Sequence, residues 1–148
     1  MKLHLNRRRY LMLAILAWFV VGCDNRQKYT RCQEIIAIAN GVANQAQEVA
    51  ESSQETTVEM KTWLQTADIM TVAANQIEAV PVRDPQLIGY QGNLASVFRI
   101  YSQATYDAVK ARENKNLSAL KIARDNAQKA GQLNQALVTK INNYCTVR

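Results

Sequence analysis

The chain has 148 residues, 48% of them apolar, with 18 basic residues, 12 acidic residues and a single histidine. That length supports one domain. The formal charge of +6 is concentrated at the start, because Lys2, Arg7, Arg8 and Arg9 fall in the first ten positions. Without residues 1–22 the chain carries fourteen basic against twelve acidic residues, a net of +2. Such a balance gives no field for steering nucleic acid. His4 falls in the same opening stretch. The remainder therefore lacks imidazole, the commonest general base near neutral pH and the commonest metal ligand.

The opening has three parts: the cationic MKLHLNRRRY, the unbroken apolar run LMLAILAWFVV at 11–21, and then Gly22-Cys23. This is the order of a secretory signal. An apolar run of eleven residues is too short for a bilayer core, which takes roughly 20 residues of helix. The junction Val20-Val21-Gly22-Cys23 resembles the lipobox of bacterial lipoproteins. That resemblance implies cleavage before Cys23, a diacylglycerol on the Cys23 sulfur, and often an acyl chain on the new amino group. Only a thiolate is nucleophilic enough to accept the lipid as a thioether, and several acyl chains make attachment stable where one is marginal. Arg7-Arg8-Arg9-Tyr10-Leu11 resembles the twin-arginine export motif, but the very apolar run after it suits the general secretion route better. Asp24 resembles the residue that retains enteric lipoproteins in the inner membrane, which favours the periplasmic or lumenal face of that membrane.

After a polar tether at 23–29, Thr30 and Gln33 have capping-box spacing. Cys32, Ile35, Ala39, Val42, Ala46 and Val49 then recur at steps of three and four, one apolar stripe on a helix over about 31–51. Ser52-Ser53 interrupt it, and Thr56-x-x-Glu59 offers the next cap. Met60, Trp63, Ala67, Met70, Ala74 and Ile77 repeat the spacing and predict a helix over about 54–79. Val80-Pro81 ends it, since a residue before proline avoids helical backbone.

Asp84-Pro85 is a strong start signal, with Asp at the N-cap and Pro at the first helical position. Leu87, Tyr90, Leu94, Val97, Tyr101, Ala104 and Ala108 carry that helix to about Arg112. Glu113 to Asn116 form a polar turn. Leu120, Ala123, Ala127, Ala130, Asn134, Leu137, Ile141 and Tyr144 stripe a last helix over about 117–144. Four amphipathic helices joined by short turns predict an all-α, up-down-up-down four-helix bundle over 30–148, following a cleaved signal peptide.

In that topology the chain's first and last helical ends share one end of the bundle. Cys32 opens the first helix and Cys145 closes the last, so they are expected to form a disulfide in an oxidising compartment. Closing a loop of that length is worth up to about 4–5 kcal/mol. A redox or metal pair is disfavoured, because no Cys-x-x-Cys spacing lowers a thiol pKa and no third ligand helps. Cys23, which would carry lipid, lies at the same end. The helix 1–2 and 3–4 turns are expected to point away from the membrane, and Val80 to Pro85 to face it.

Other features have plain structural readings. Gly89-Tyr90-Gln91-Gly92 spells the G-x-x-G of some RNA-binding domains, but without their fold or basic flanks; the two glycines are expected to let a neighbouring helix pass close or to loosen the first turns of the third helix. Trp63, Tyr90, Tyr101 and Tyr144 sit on core stripes, where aromatics normally pack; with Tyr106 they are the candidates for a ligand pocket. Glu48, Glu51, Glu55 and Glu59 read as a solvated helix-end face rather than a cation site. No Glu-x-x-His or Cys-x-x-Cys-His occurs, which excludes a di-iron bundle and covalent haem. No catalytic residue, cofactor or metal is assigned.

The Arg31-Cys32-Gln33 opening and Asn142-Asn143-Tyr144-Cys145 ending resemble small uncharacterised helical lipoproteins of cyanobacteria. The lipidated bundle is also similar in architecture to the PsbQ-like extrinsic subunit of photosystem II, with no functional residue to carry over. The Leu-Thr-x-x-Gln motif of Spy-like chaperones is absent. The expected role is a non-catalytic accessory or assembly subunit of a membrane protein complex, held by its lipid, with no nucleic-acid partner. A small-ligand-binding or sensor-like bundle is the alternative.

Overall fold

The computed structural model describes residues 26–42, 44, 45, 48 and 56–146. The signal at 1–22, the lipid site Cys23, Asp24, the first helix's end near 51 and the Ser52-Ser53 break lie outside those residues. So do Ala46 and Val49, the acidic positions Glu51 and Glu55, and the capping side chains of Thr56 and Glu59. Helix α1 is described over 26–42. Helix α2 spans Thr56–Ala79, α3 spans Pro85–Glu113, and α4 spans Leu117–Thr146. No strand occurs among the described residues. The fold is an all-α, up-down-up-down four-helix bundle.

Its antiparallel register can be followed contact by contact. Between α2 and α3, Glu78 meets Arg99, Thr71 meets Ser102, and Asp68 meets Tyr106. Between α3 and α4, Tyr144 reaches Asp84 and Tyr101 lies against Gly131. Cys32 and Cys145 join the start of α1 to the end of α4.

The start of α3 follows from Asp84, whose Oδ1 accepts the Leu87 N–H at 2.7 Å. The α3–α4 turn is tighter than a polar loop. The Lys115 and Asn116 N–H groups donate to the Arg112 and Ala111 carbonyls at 3.1 and 2.8 Å, the paired bonds of a Schellman motif. Lys115 takes the left-handed position, with φ 53°. Asn116 then caps α4, its Oδ1 accepting the Ala119 N–H at 3.0 Å.

Two expectations change. Helix α1 is already formed at 26, inside the supposed tether. Thr30 is no cap, because its hydroxyl donates to the Arg26 carbonyl one turn back at 3.0 Å. Arg26, Gln27 and Lys28 are good helix formers, and Arg31 bonds Glu34 at 2.7 Å along the same face. Helix α3 also buries more than one stripe. Leu87, Leu94 and Val97 are buried as expected, and so are Gln91, Ala95, Phe98, Ser102 and Val109. This second row exists because α3 packs against both α2 and α4. The largest fully buried side chains are Ile35, Ile77, Leu87, Leu94 and Cys32. Burying each aliphatic one is worth about 1.5–3 kcal/mol.

Candidate functional site

Two regions bear on function: the stapled end of the bundle and an apolar cavity toward the other end. At the stapled end, Cys32 is fully buried and Cys145 nearly so. Their Cα atoms lie 5.8 Å apart, within the span a disulfide requires. Beside them the Tyr144 hydroxyl donates to the Asp84 carboxylate, 2.7 Å from both oxygens. The Tyr144 and Tyr90 rings form a T-shaped pair with centroids 5.5 Å apart, and Lys28 Nζ lies over the Tyr144 ring, 3.9 Å from its centre. Asp84 thus caps α3 and also ties it to the end of α4. Burial pushes its carboxyl up. The bonds from the Leu87 N–H and Tyr144 hydroxyl, with Lys28 nearby, outweigh that and hold it below the ordinary carboxylate range.

The end of α2 is held by Gln91. Its side chain is buried, and Nε2 donates to the Ile77 and Val80 carbonyls at 2.6 and 2.8 Å. These carbonyls have lost helical partners where the chain turns toward Pro81. One α3 side chain therefore seals the neighbouring helix end. Thr71 and Ser102 share a hydrogen bond of 2.7 Å across the same interface. On the surface Arg99 grips Glu78 through two nitrogens, at 2.5 and 2.6 Å. That grip lowers the Glu78 pKa. Tyr106 donates to Asp68, which raises the Tyr106 pKa.

Toward the other end, α2, α3 and α4 line an open-sided cavity of about 490 Å³. Among the described residues its walls are mainly Ala104, Ala108, Ala123 and Ala127, with Trp63 and Leu120 at the sides and Thr66, Thr105 and Arg124 as its polar members. The guanidinium carbon of Arg112 lies 5.4 Å from the centre of the Trp63 ring. Because alanine is short, helices carrying it at facing positions leave space wherever they do not close together.

The aromatics expected on the core stripes are all half-buried, and each has a structural contact. Trp63 alone borders the cavity. Tyr106, the remaining candidate, is spent on Asp68. Gly89 and Gly92 face open space, so they do not admit a neighbouring helix; Gly131 makes the close approach instead, to the Tyr101 hydroxyl. The pairing of Asp84, Tyr144 and Lys28 was missed in the sequence, where each residue carries only a local signal.

No group of three or more metal-ligating side chains occurs among the described residues. Nor is any described helix long and apolar enough to cross a membrane. Comparison with protein-family models, with curated proteins and with solved structures found no match.

Proposed function

We propose that the chain is a lipoprotein carrying its lipid on Cys23. Its small bundle would then be held against the exported face of a membrane as a non-catalytic accessory or assembly subunit of a membrane complex. The observation that carries this reading is the Val20-Val21-Gly22-Cys23 junction behind an apolar run too short to span. The geometry of the described bundle supports it. Helix α1 is already formed at 26, within a few residues of Cys23, at the end where the two remaining cysteines meet. The polar groups at that end serve structure: Asp84 and Tyr144 tie helix ends together, and Gln91 caps α2.

The test has two steps. The intact mass of protein extracted from membranes should equal residues 23–148 plus acyl chains, rising by two hydrogen atoms on reduction. Affinity purification from detergent extracts should then recover a stoichiometric membrane partner. An unlipidated mass refutes the anchor, and a lipidated protein recovered alone refutes the subunit role.

A second reading, a module that binds a small apolar ligand, is favoured by the alanine-lined cavity of about 490 Å³. Its size lies within the range of small-molecule sites. Quenching or blue-shift of Trp63 emission on adding an apolar ligand supports that reading. Insensitivity of Trp63 to ligands that fit the volume counts against it.

A further inference from the structure

The stapled end of the bundle also gathers cations. Arg26, Lys28 and Arg31 lie on the first turns of α1. Lys28 and Arg31 line one narrow cleft with Arg83 and Asp84 of the α2–α3 connection. Two of these four cations are answered locally. Arg31 pairs with Glu34 at 2.7 Å, and Lys28 lies over the Tyr144 ring and beside Asp84. Arg26 and Arg83 are exposed, and neither forms a salt bridge with a described residue. Tyr29, 54% exposed, follows Arg26 by three positions and is an amphipathic ring of the kind enriched at membrane–water interfaces.

We propose that this end is a docking face for anionic lipid headgroups, with Arg26 and Arg83 drawn to lipid phosphates and Tyr29 at headgroup depth. The inference rests on lipidation of Cys23, which brings the face to the bilayer. Its charges come from two segments distant in sequence. Arg26 is close to the anchor along the chain, while Arg83 comes beside Lys28 and Arg31 at this end only because the bundle folds as it does. A lipid tether alone leaves the domain free to tumble about its attachment. The α3–α4 end also carries exposed cations, among them Lys110, Lys115 and Lys121, so it is the acyl chains on Cys23, with Arg26 and Arg83 at the same end, that turn the stapled end to the bilayer and the α3–α4 turn outward. Acyl chain and basic surface together make a two-signal anchor.

The experiment uses the mature lipoprotein extracted from membranes, its acyl chains verified by intact mass. It is reconstituted into vesicles of phosphatidylcholine alone or of phosphatidylcholine and phosphatidylglycerol in equal parts. Arginine modification by a glyoxal reagent is followed site by site by peptide mass spectrometry. Arg124, whose side chain is 74% exposed, lies near the opposite end and serves as reference. Arg83 should react about five-fold more slowly on the anionic vesicles, the shift one charge near such a surface is worth. Arg124 should react equally on both. The difference should vanish near 1 M salt, where screening acts within about 3 Å. Substitution Arg83→Gln should raise the rate at Arg26 on anionic vesicles.

Equal Arg83 rates on both surfaces, in protein whose mass shows acyl chains, would overturn headgroup docking and leave the anchor standing. A mass without acyl chains would overturn the anchoring itself, and the docking with it. Protection of Arg83 that persists in high salt would also overturn the proposal, since a contact of that kind is not electrostatic.

Discussion

Removing the Cys32–Cys145 link should be the most damaging small change to this bundle. The two residues are 113 apart in sequence, so the link closes nearly the whole domain into one loop. The chain-entropy relation for a loop of that size gives about 5 kcal/mol. This is an upper value, because a denatured chain retains structure that already restricts it. Domains of this kind have a total stability of about 5–15 kcal/mol, so the link is a large fraction of the whole. At roughly 4 °C per kcal/mol for a domain of this size, melting should fall by about 15–20 °C. The assay is far-ultraviolet circular dichroism on heating, with and without dithiothreitol, with the thiol state read by mass. The double substitution Cys32→Ala with Cys145→Ala should behave like the reduced protein. A fully reduced sample with two free thiols and an unchanged melting curve would refute the argument. It would mean that the ends of α1 and α4 are held by packing alone, or that they do not meet.

Three smaller perturbations test the links around the staple and the far turn. Gln91→Leu keeps the buried volume but strips the Val80 carbonyl of its side-chain donor and leaves the Ile77 carbonyl only the Val80 N–H at 3.2 Å; it should cost about 1–3 kcal/mol in urea unfolding, and a neutral result would show that water replaces the side chain. Asp84→Ala removes a helix cap and the acceptor for Tyr144, and should cost about 2–4 kcal/mol. Because the Asp84 carboxyl is held below its unfolded pKa, its contribution is complete above about pH 4. It is lost as pH falls through the lower, folded value, and Asp84→Asn should flatten that acid limb of a stability–pH curve. Lys115→Gly relieves a side chain at φ 53° and should stabilise by about 0.5–1 kcal/mol; a loss of melting temperature would show that the lysine makes a contact worth more than the strain.

The apolar spacing made the helices legible, since a stripe at steps of three and four has one backbone solution. Asp84-Pro85 fixed the start of α3 because a capping acid and a proline combine into a signal that needs no tertiary context. Periodicity is silent on what a central helix does with its other face. Gln91 and Ser102 are polar residues on α3, so the row that meets α2 could not be told from a solvated face until the helices were side by side. Thr30 misled for a related reason: its hydroxyl bonds a carbonyl inside a helix as readily as an N–H at a helix start. The α3–α4 turn hid its motif because Lys115 occupies a place where glycine is the usual marker. Of the candidate site, the meeting of Cys32 and Cys145 followed from helix parity alone. The cations of the stapled end did not, because Arg83 joins Lys28 and Arg31 only through the fold.

The two halves of the bundle are built differently, and this bears on where it can respond to a partner. Near the staple the described core of α2, α3 and α4 holds Ile77, Leu87, Leu94, Leu137 and Ile141, with Ala74 and Ala95. Toward the other end, Val109 aside, the buried described positions of α2, α3 and α4 are Thr62, Ala67, Ala104, Ala111 and Ala123. An alanine buries far less apolar surface than a leucine, and each missing methylene forfeits about 0.8 kcal/mol. Among the described residues of α2, α3 and α4, burial energy is therefore concentrated beside the staple, and their far half, with its cavity, is the cheaper part to open. Local unfolding draws on such regions first. Hydrogen exchange should show α3 most protected over residues 87–98 and less so over 104–111, with the difference narrowing when a ligand or partner fills the cavity. If both segments exchange only through global unfolding, the halves form one cooperative unit. The cavity would then be a packing defect of alanine-rich helices rather than a place of response.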